Sequence, residues 1–149
     1  PEMARVSADA EHTVVMHMRG TPQTMKSLTR YENLTQEVCA WLCERAAEAQ
    51  SKTVWIDPGI GFAKTAQQSL SLLKNLHAFV GTGRPVYIGA SRKSFIGHTL
   101  DIQDANERLA GSLAAAASAW HQGAQAFRVH DVAETRQLLD MLHAIEGAA

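Results

Sequence analysis

A chain of 149 residues, 46% hydrophobic and 19% charged, is long enough for one globular domain with a core. Its formal net charge of −1 leaves no basic excess for nucleic acid, and no Lys/Arg cluster suits a membrane surface. No apolar run approaches a membrane span and no charged-then-apolar leader opens the sequence, so a soluble cytoplasmic protein is expected.

Residues 1–12 are polar, mixed and without a period, and read as the tail of something that precedes residue 1. Thr13 to Met18 is the first predicted strand, with Val14, Met16 and Met18 on one face and Val15 and His17 on the other. The loop RGTPQTM, carrying Gly20 and Pro22, ends it. Asn33 with Gln36 resembles a capping box, and the helix it opens runs to about Ala49 with Leu34, Val38, Trp41, Leu42 and Ala46 at helical spacing. The only cysteines, Cys39 and Cys43, lie four apart on this helix; they are not a C-x-x-C pair and read as buried or half-buried free thiols of a reducing compartment. The Asn33-Leu34-Thr35 sequon then carries no meaning.

Val54 to Asp57 is the second strand, and it stops at a lone carboxylate. A Pro-Gly-x-Gly turn follows, and Thr65 with Gln68 forms a capping box for a helix bearing Leu70, Leu73 and Leu76. At a buried strand end Asp57 could make charge-assisted hydrogen bonds to paired N–H donors, and Gly59 and Gly61 would let the backbone approach a flat ligand. Asp-Pro-Gly is also an ordinary turn composition. A phosphate-binding P-loop is rejected, because that pattern needs Gly before the Lys and Ala63 stands before Lys64.

Gly81 to Pro85 is a turn, Pro85 to Gly89 the third strand, and ASRKSFIG a loop that runs into a short helix. There Lys93 can reach back over the strand ends, and Ser94 with the free N–H groups of the helix start can hold a carboxylate; the bland alternative is a solvated basic turn. Asp104 with Glu107 caps the next, Ala-rich helix (Leu109, Leu113, Ala114 to Ala117, Trp120), which Gly123 stops. Ala126 to Val129 is the fourth strand. Arg128 and His130, two apart on it, would point the same way and suit a phosphate or diphosphate, or else be a surface Arg and a structural His. Asp131 with Glu134 caps the last helix, whose Leu138, Met141, Leu142 and Ile145 form a core stripe.

The order β-α-β-α-β-α-β-α favours parallel strands with right-handed crossovers. The polar, Gly-containing motifs at Gly20, Asp57, Lys93 and Arg128/His130 all fall where strands end and helices begin, the edge at which such folds gather ligand groups. Four β-α units make half of an eight-stranded barrel; an open four-stranded doubly wound sheet is the alternative.

MHMRGTPQTM, DPGIGFAKT, GASRKSFIG and RVHDV, in this order and spacing, resemble the second half of dihydropteroate synthase, from about His12 to the C-terminus. The resemblance implies an α/β fold that is the C-terminal half, strands 5–8, of a (β/α)8 TIM barrel, with residues 1–149 a single partial domain. It implies condensation of 7,8-dihydropterin-6-ylmethyl diphosphate with p-aminobenzoate to give dihydropteroate and diphosphate, sulfonamides mimicking the aminobenzoate. Asp57 would take the paired donors of the pterin edge, and Lys93 would donate to its acceptor edge. Arg128 would stack on the ring and, with His130, hold the diphosphate; these four are the implied catalytic residues. Met16 would pack under the ring, Gly61 and Phe62 line the pocket, Gly89 leave room for the pterin, and Ser94 lie near the aminobenzoate carboxylate. Mg²⁺ would act through the diphosphate and a residue outside this chain. No protein-only metal site is expected, since none of the seven His residues has metal-ligand spacing. The intact enzyme is expected as a homodimer.

The family's first four strands, with an Asn for Mg²⁺ and diphosphate, an Asp and an Asn for the pterin edge, and two mobile loops, have no counterpart here. The competing expectation is therefore an inactive half barrel that only binds pterin or anions and self-associates through its open strand edges. A pterin-dependent methyltransferase would share the carboxylate-pterin logic but lack the SRK and RVHD groups.

Overall fold

The computed structural model describes residues 5–148. A 3-10 turn, Ser7–Asp9, leads into β1 (His12–Met16). The main elements that follow are α1 (Leu34–Glu48), β2 (Thr53–Asp57), α2 (Ala66–Lys74), α3 (His77–Val80), β3 (Tyr87–Ile88), α4 (Ser94–Leu100), α5 (Leu109–His121), β4 (Ala126–Phe127) and α6 (Val132–Glu146).

β1 pairs in parallel with β2, from His12 opposite Thr53 to Met16 opposite Asp57. β3 pairs in parallel with β4. A parallel bridge between Ile56 and Val86, with Ile56 N–H donating to the Pro85 carbonyl at 3.0 Å, joins the two pairs. Each strand therefore neighbours the next one in sequence, the winding of a barrel wall and not the reversing order of a doubly wound sheet.

The core lies between the strands and their helices. Ile56, Val86 and Ile88 meet Val38 and Leu42 of α1, Leu72 of α2, Leu76, Phe79 of α3, Phe95 and Ile96 of α4, and Ala115 and Ala119 of α5. The small side chains of α5 allow a close approach of helix to sheet. On the far side β1 is less covered: Val14 is 42% exposed, and a groove of about 590 Å³ lined by Val14, Met16 and Trp41 runs along the strand.

The capping chemistry is partly as expected. Thr65 Oγ1 accepts the Gln68 N–H at 3.2 Å, and Gln68 Oε1 accepts the Thr65 N–H at 2.9 Å, a complete box. Asn33 Oδ1 accepts the Gln36 N–H at 3.3 Å, but the return arm comes from Glu37, whose Oε1 accepts the N–H groups of Asn33 (2.8 Å) and Glu32 (2.7 Å). Gly123, at φ +94°, ends α5 with Gly123 N–H on the Trp120 carbonyl and Ala124 N–H on the Ala119 carbonyl, a Schellman motif.

Four expectations need correction. Asp104 caps the 3-10 turn Ala105–Arg108 ahead of α5, through the Asn106 N–H at 2.9 Å, and not α5 itself. Asp131 makes no side-chain cap for α6, because its carboxylate is taken by the Arg92 guanidinium. The third and fourth strands are only two residues each. The last rung is Arg128 N–H to the Ile88 carbonyl at 2.9 Å; beyond it His130 N–H turns to Ser91 Oγ, so Arg128 and His130 lie past β4 and strand alternation does not set their directions. Finally, α6 buries only Thr135 among its residues; Leu138 and Leu142 are half-buried and Met141 and Ile145 exposed, because α6 packs chiefly on α5.

Cys39 and Cys43 are half-buried free thiols on α1, and burial followed by its neighbour Cys43 pushes the Cys39 thiol up to about 11. No helix among the described residues is long and apolar enough to cross a membrane.

Candidate functional site

Asp57 is the last residue of β2 and only 4% exposed. Its Oδ1 accepts the Gly59 N–H at 2.7 Å. That turn requires glycine: Gly59 has φ +70°, and a Cβ there would collide with the His17 carbonyl oxygen. Burial pushes the Asp57 carboxyl up to about 6, against the Gly59 N–H and the charges of Lys93 and Lys64, which favour the carboxylate.

Beneath this turn lies a pair that the sequence reading passes over. Lys64 is 7% exposed and His17 2% exposed. Lys64 Nζ stands 3.0 Å from His17 Nδ1 and donates to the Phe62 carbonyl at 2.9 Å. The His17 ring meets Trp41 edge-on, with centroids 5.1 Å apart, and lies 6.1 Å from the Tyr31 ring. Burial, with the charges of Lys64 and Arg19, holds the imidazole down at about 4, so it is neutral and accepts from the ammonium. Burial also lowers Lys64 to about 7, against the attraction of Asp57. The signal in the sequence is a lysine after the apolar Phe62-Ala63, with a histidine between the methionines of MHM.

Lys93 precedes α4 and reaches across to donate from Nζ to the Ile60 carbonyl at 2.5 Å, over the Phe62 ring at 4.4 Å. Burial lowers its pKa, opposed by Asp57 and assisted by Arg128. A Cβ on Gly61 would sit 3.5 Å from Lys93 Cδ, and one on Gly89 would sit 3.8 Å from Arg128 Cβ, both ordinary contacts, so these glycines lie beside the two cations and only Gly61, at φ +81°, needs glycine for its backbone. Met16 stands opposite Asp57 in the β1–β2 register. Asp57, Gly61, Phe62 and Lys93 thus come together, with Arg128 close enough to act on Lys93 and Met16 on the neighbouring strand end. His130 pairs through Nδ1 with Ser91 Oγ at 3.0 Å. Ser94 is exposed at the first residue of α4.

Arg92, at φ +57°, is also absent from the sequence expectation: it binds both oxygens of Asp131 and, at 2.7 Å, Asn106 Oδ1. Arg108 donates to the Arg92 carbonyl at 3.0 Å. These ties fix the β3–α4 loop to the β4–α6 loop, and so fix Lys93 relative to His130. Among the described residues no three His, Cys, Asp or Glu side chains come together as a metal site.

Residues 1–130 match the family model described as "Pterin binding enzyme". The chain belongs to the pterin-binding enzyme family. Within it, the chain is 42% identical over 140 residues to the dihydropteroate synthase of Haemophilus influenzae, covering 90% of this chain and 50% of that protein. It is 40% identical to the Escherichia coli K12 enzyme, covering 90% of this chain and 49% of that one. The crystal structure of the Thermus thermophilus dihydropteroate synthase superposes with a TM-score of 0.92 at 37% identity, covering 97% of this chain and 60% of that chain. Structures of the same T. thermophilus enzyme are described in complex with 6HMPPP and with 4-aminobenzoate. The chain therefore spans about half the length of the curated relatives it matches, and its α/β fold corresponds to part of their barrel.

Proposed function

We propose that the chain is the C-terminal half, strands 5–8, of a dihydropteroate synthase barrel, contributing the pterin and diphosphate groups of its site. The single observation that carries the reading is the convergence of Asp57, Lys93 and Phe62 on the Pro58–Gly61 turn, at the strand ends where barrel enzymes bind their substrates.

In the proposed reaction the Asp57 carboxylate accepts the two donors of the pterin's amino-pyrimidine edge, and Lys93 donates to its acceptor edge. Phe62 and Met16 flank the ring. Arg128 and His130 face the diphosphate. The C–O bond from the pterin methylene to the diphosphate breaks with its electron pair going to oxygen. The amine of p-aminobenzoate then forms the C–N bond and sheds a proton. The buried negative charge of Asp57 stabilises the cationic pterin between the two steps. No side-chain nucleophile is required; positioning and charge do the work. Among the described residues no three His, Cys, Asp or Glu side chains gather to hold Mg²⁺. Bound to the diphosphate and a residue outside this chain, Mg²⁺ would neutralise charge on the leaving group. That the T. thermophilus enzyme has been seen with 6HMPPP and with 4-aminobenzoate, and the Yersinia pestis enzyme with a sulfonamide drug, supports the same ligand classes here.

A second reading is favoured by the thin cover over β1 and the exposed Val14: a half barrel that binds pterin without turnover and self-associates. The deciding experiment offers pterin diphosphate, p-aminobenzoate and Mg²⁺ to the 149-residue chain and quantifies dihydropteroate and diphosphate. Equimolar products support the synthase. Pterin binding without products supports the second reading. Neither binding nor turnover sinks both.

A further inference from the structure

We infer that Lys64 is a positioning residue for Asp57: a buried ammonium, fixed by His17 and the Phe62 carbonyl, that keeps the neighbouring carboxylate ionised for a pterin's paired donors. This rests on the proposed function in one respect, the identity of the ligand. The geometry does not depend on it.

Lys64 Nζ has two fixed acceptors, His17 Nδ1 at 3.0 Å and the Phe62 carbonyl at 2.9 Å. It lies beside the Asp57–Gly59 turn, where a Cβ on Gly59 would stand 3.5 Å from it. Lys93, its Nζ held by the Ile60 carbonyl, also favours the Asp57 carboxylate, so Lys64 adds to its effect from a second fixed position. The other groups around Lys64 are Asp57 and Lys93, with Arg19 beyond β1. Behind His17 stand Arg19 and Glu37, bonded to each other at 2.7 Å, and Tyr31, over whose ring the Arg19 guanidinium lies at 3.8 Å. A neutral imidazole accepts from Lys64 without competing for its charge, so the ammonium's field remains available to Asp57.

The coupling has a signature that a purely structural lysine lacks. Asp57 titrates near 6 and Lys64 near 7, so Lys64 carries its charge where Asp57 ionises and loses it at higher pH. Lys64→Gln retains a donor for His17 and Phe62 but removes the charge.

The test follows the Asp57 carboxyl carbon by NMR against pH in ¹³C-labelled native chain and Lys64→Gln. In parallel, calorimetry measures binding of 6-hydroxymethyl-7,8-dihydropterin. The Asp57 midpoint should rise by about one unit in Lys64→Gln. Pterin affinity should fall about threefold at about pH 6.5, where the ionised fraction is most affected, and converge with the native value at about pH 8.5. An unmoved midpoint, or an equal loss at both pH values, overturns the inference. If Lys64→Gln does not fold, the native chain decides alone: the Asp57 carbon should show a second, smaller step as Lys64 loses its proton, and a single-step curve overturns it. A native chain that binds no pterin at any pH overturns the functional reading while leaving the midpoint test intact.

Discussion

At the scale of single residues, Asp57 carries the most chemistry, because burial and the proposed ligand recognition act on the same group. Replacing it with Asn preserves shape but removes the charge and one acceptor role. Pterin affinity should fall by roughly 1.5–3 kcal/mol, the range for a charged hydrogen bond, measured by calorimetry at neutral pH. Unchanged affinity would remove Asp57 from the site. Arg128 poses a different question, since a guanidinium can stack on a ring or grip an anion. It is exposed in this structure, adjacent to Gly89 and acting on Lys93. Arg128→Ala should therefore weaken binding of a pterin diphosphate more than binding of the bare pterin, as paired titrations would read directly. Equal losses would mean that stacking is its whole contribution. Asp57 was legible as a candidate because a strand ending in a lone carboxylate and a glycine turn is a local pattern. The Lys64–His17 contact joins residues 47 apart, which no local pattern reports.

Among the elements, those with strong local signals formed as read. The Thr65–Gln68 box and the Gly123 stop are written in a few consecutive residues, and both close their hydrogen bonds. Thr65→Ala should cost about 1 kcal/mol of stability, the usual value of an N-cap, seen as a lower urea midpoint with an unchanged slope. A null effect would mean that α2 is held by Leu72 and Leu73 alone. Where the reading failed, a tertiary partner overrode the local pattern. Asp131 has the sequence of a cap, but Arg92, 39 residues away, offers a two-oxygen ion pair that outcompetes a single backbone N–H. The fourth strand stops early because Ser91 draws the His130 N–H out of the ladder. The apolar stripe of α6 is present in sequence, yet periodicity says only that a face is apolar and not what will cover it. Met141 and Ile145 remain exposed.

For the whole molecule, the site sits at a seam between parts that one loop cluster must hold in place, and the titrating groups buried there tie stability to pH. The winding of the strands was legible from the β-α order, and the share of the relatives' length matches the half barrel expected from four units. The electrostatics was not, since it depends on burial. Asp57 has its folded value raised from 3.8 to about 6, so its contribution to stability is full below 3.8 and is lost as pH rises through 6. His17 is lowered from 6.5 to about 4, so its contribution is full above 6.5 and is lost as pH falls through 4. Each is worth about 3 kcal/mol, with opposite signs. Between about pH 4 and 6 they nearly cancel. Lys64 is lowered from 10.5 to about 7, so stability is gained as pH rises from 7 toward 10.5. Urea unfolding of the native chain should therefore give similar midpoints at about pH 4 and 6, and clearly higher ones above 7. Asp57→Asn, which leaves His17 unopposed, should lose stability on acidification across the same interval. The rise above neutrality should shrink in Lys64→Met, leaving the smaller share that the lowered Lys93 contributes. A native chain whose midpoint does not climb between about pH 7 and 9.5 would mean that Lys64 keeps its proton in the fold, and that Asp57 and His17 together solvate the ammonium better than burial penalises it.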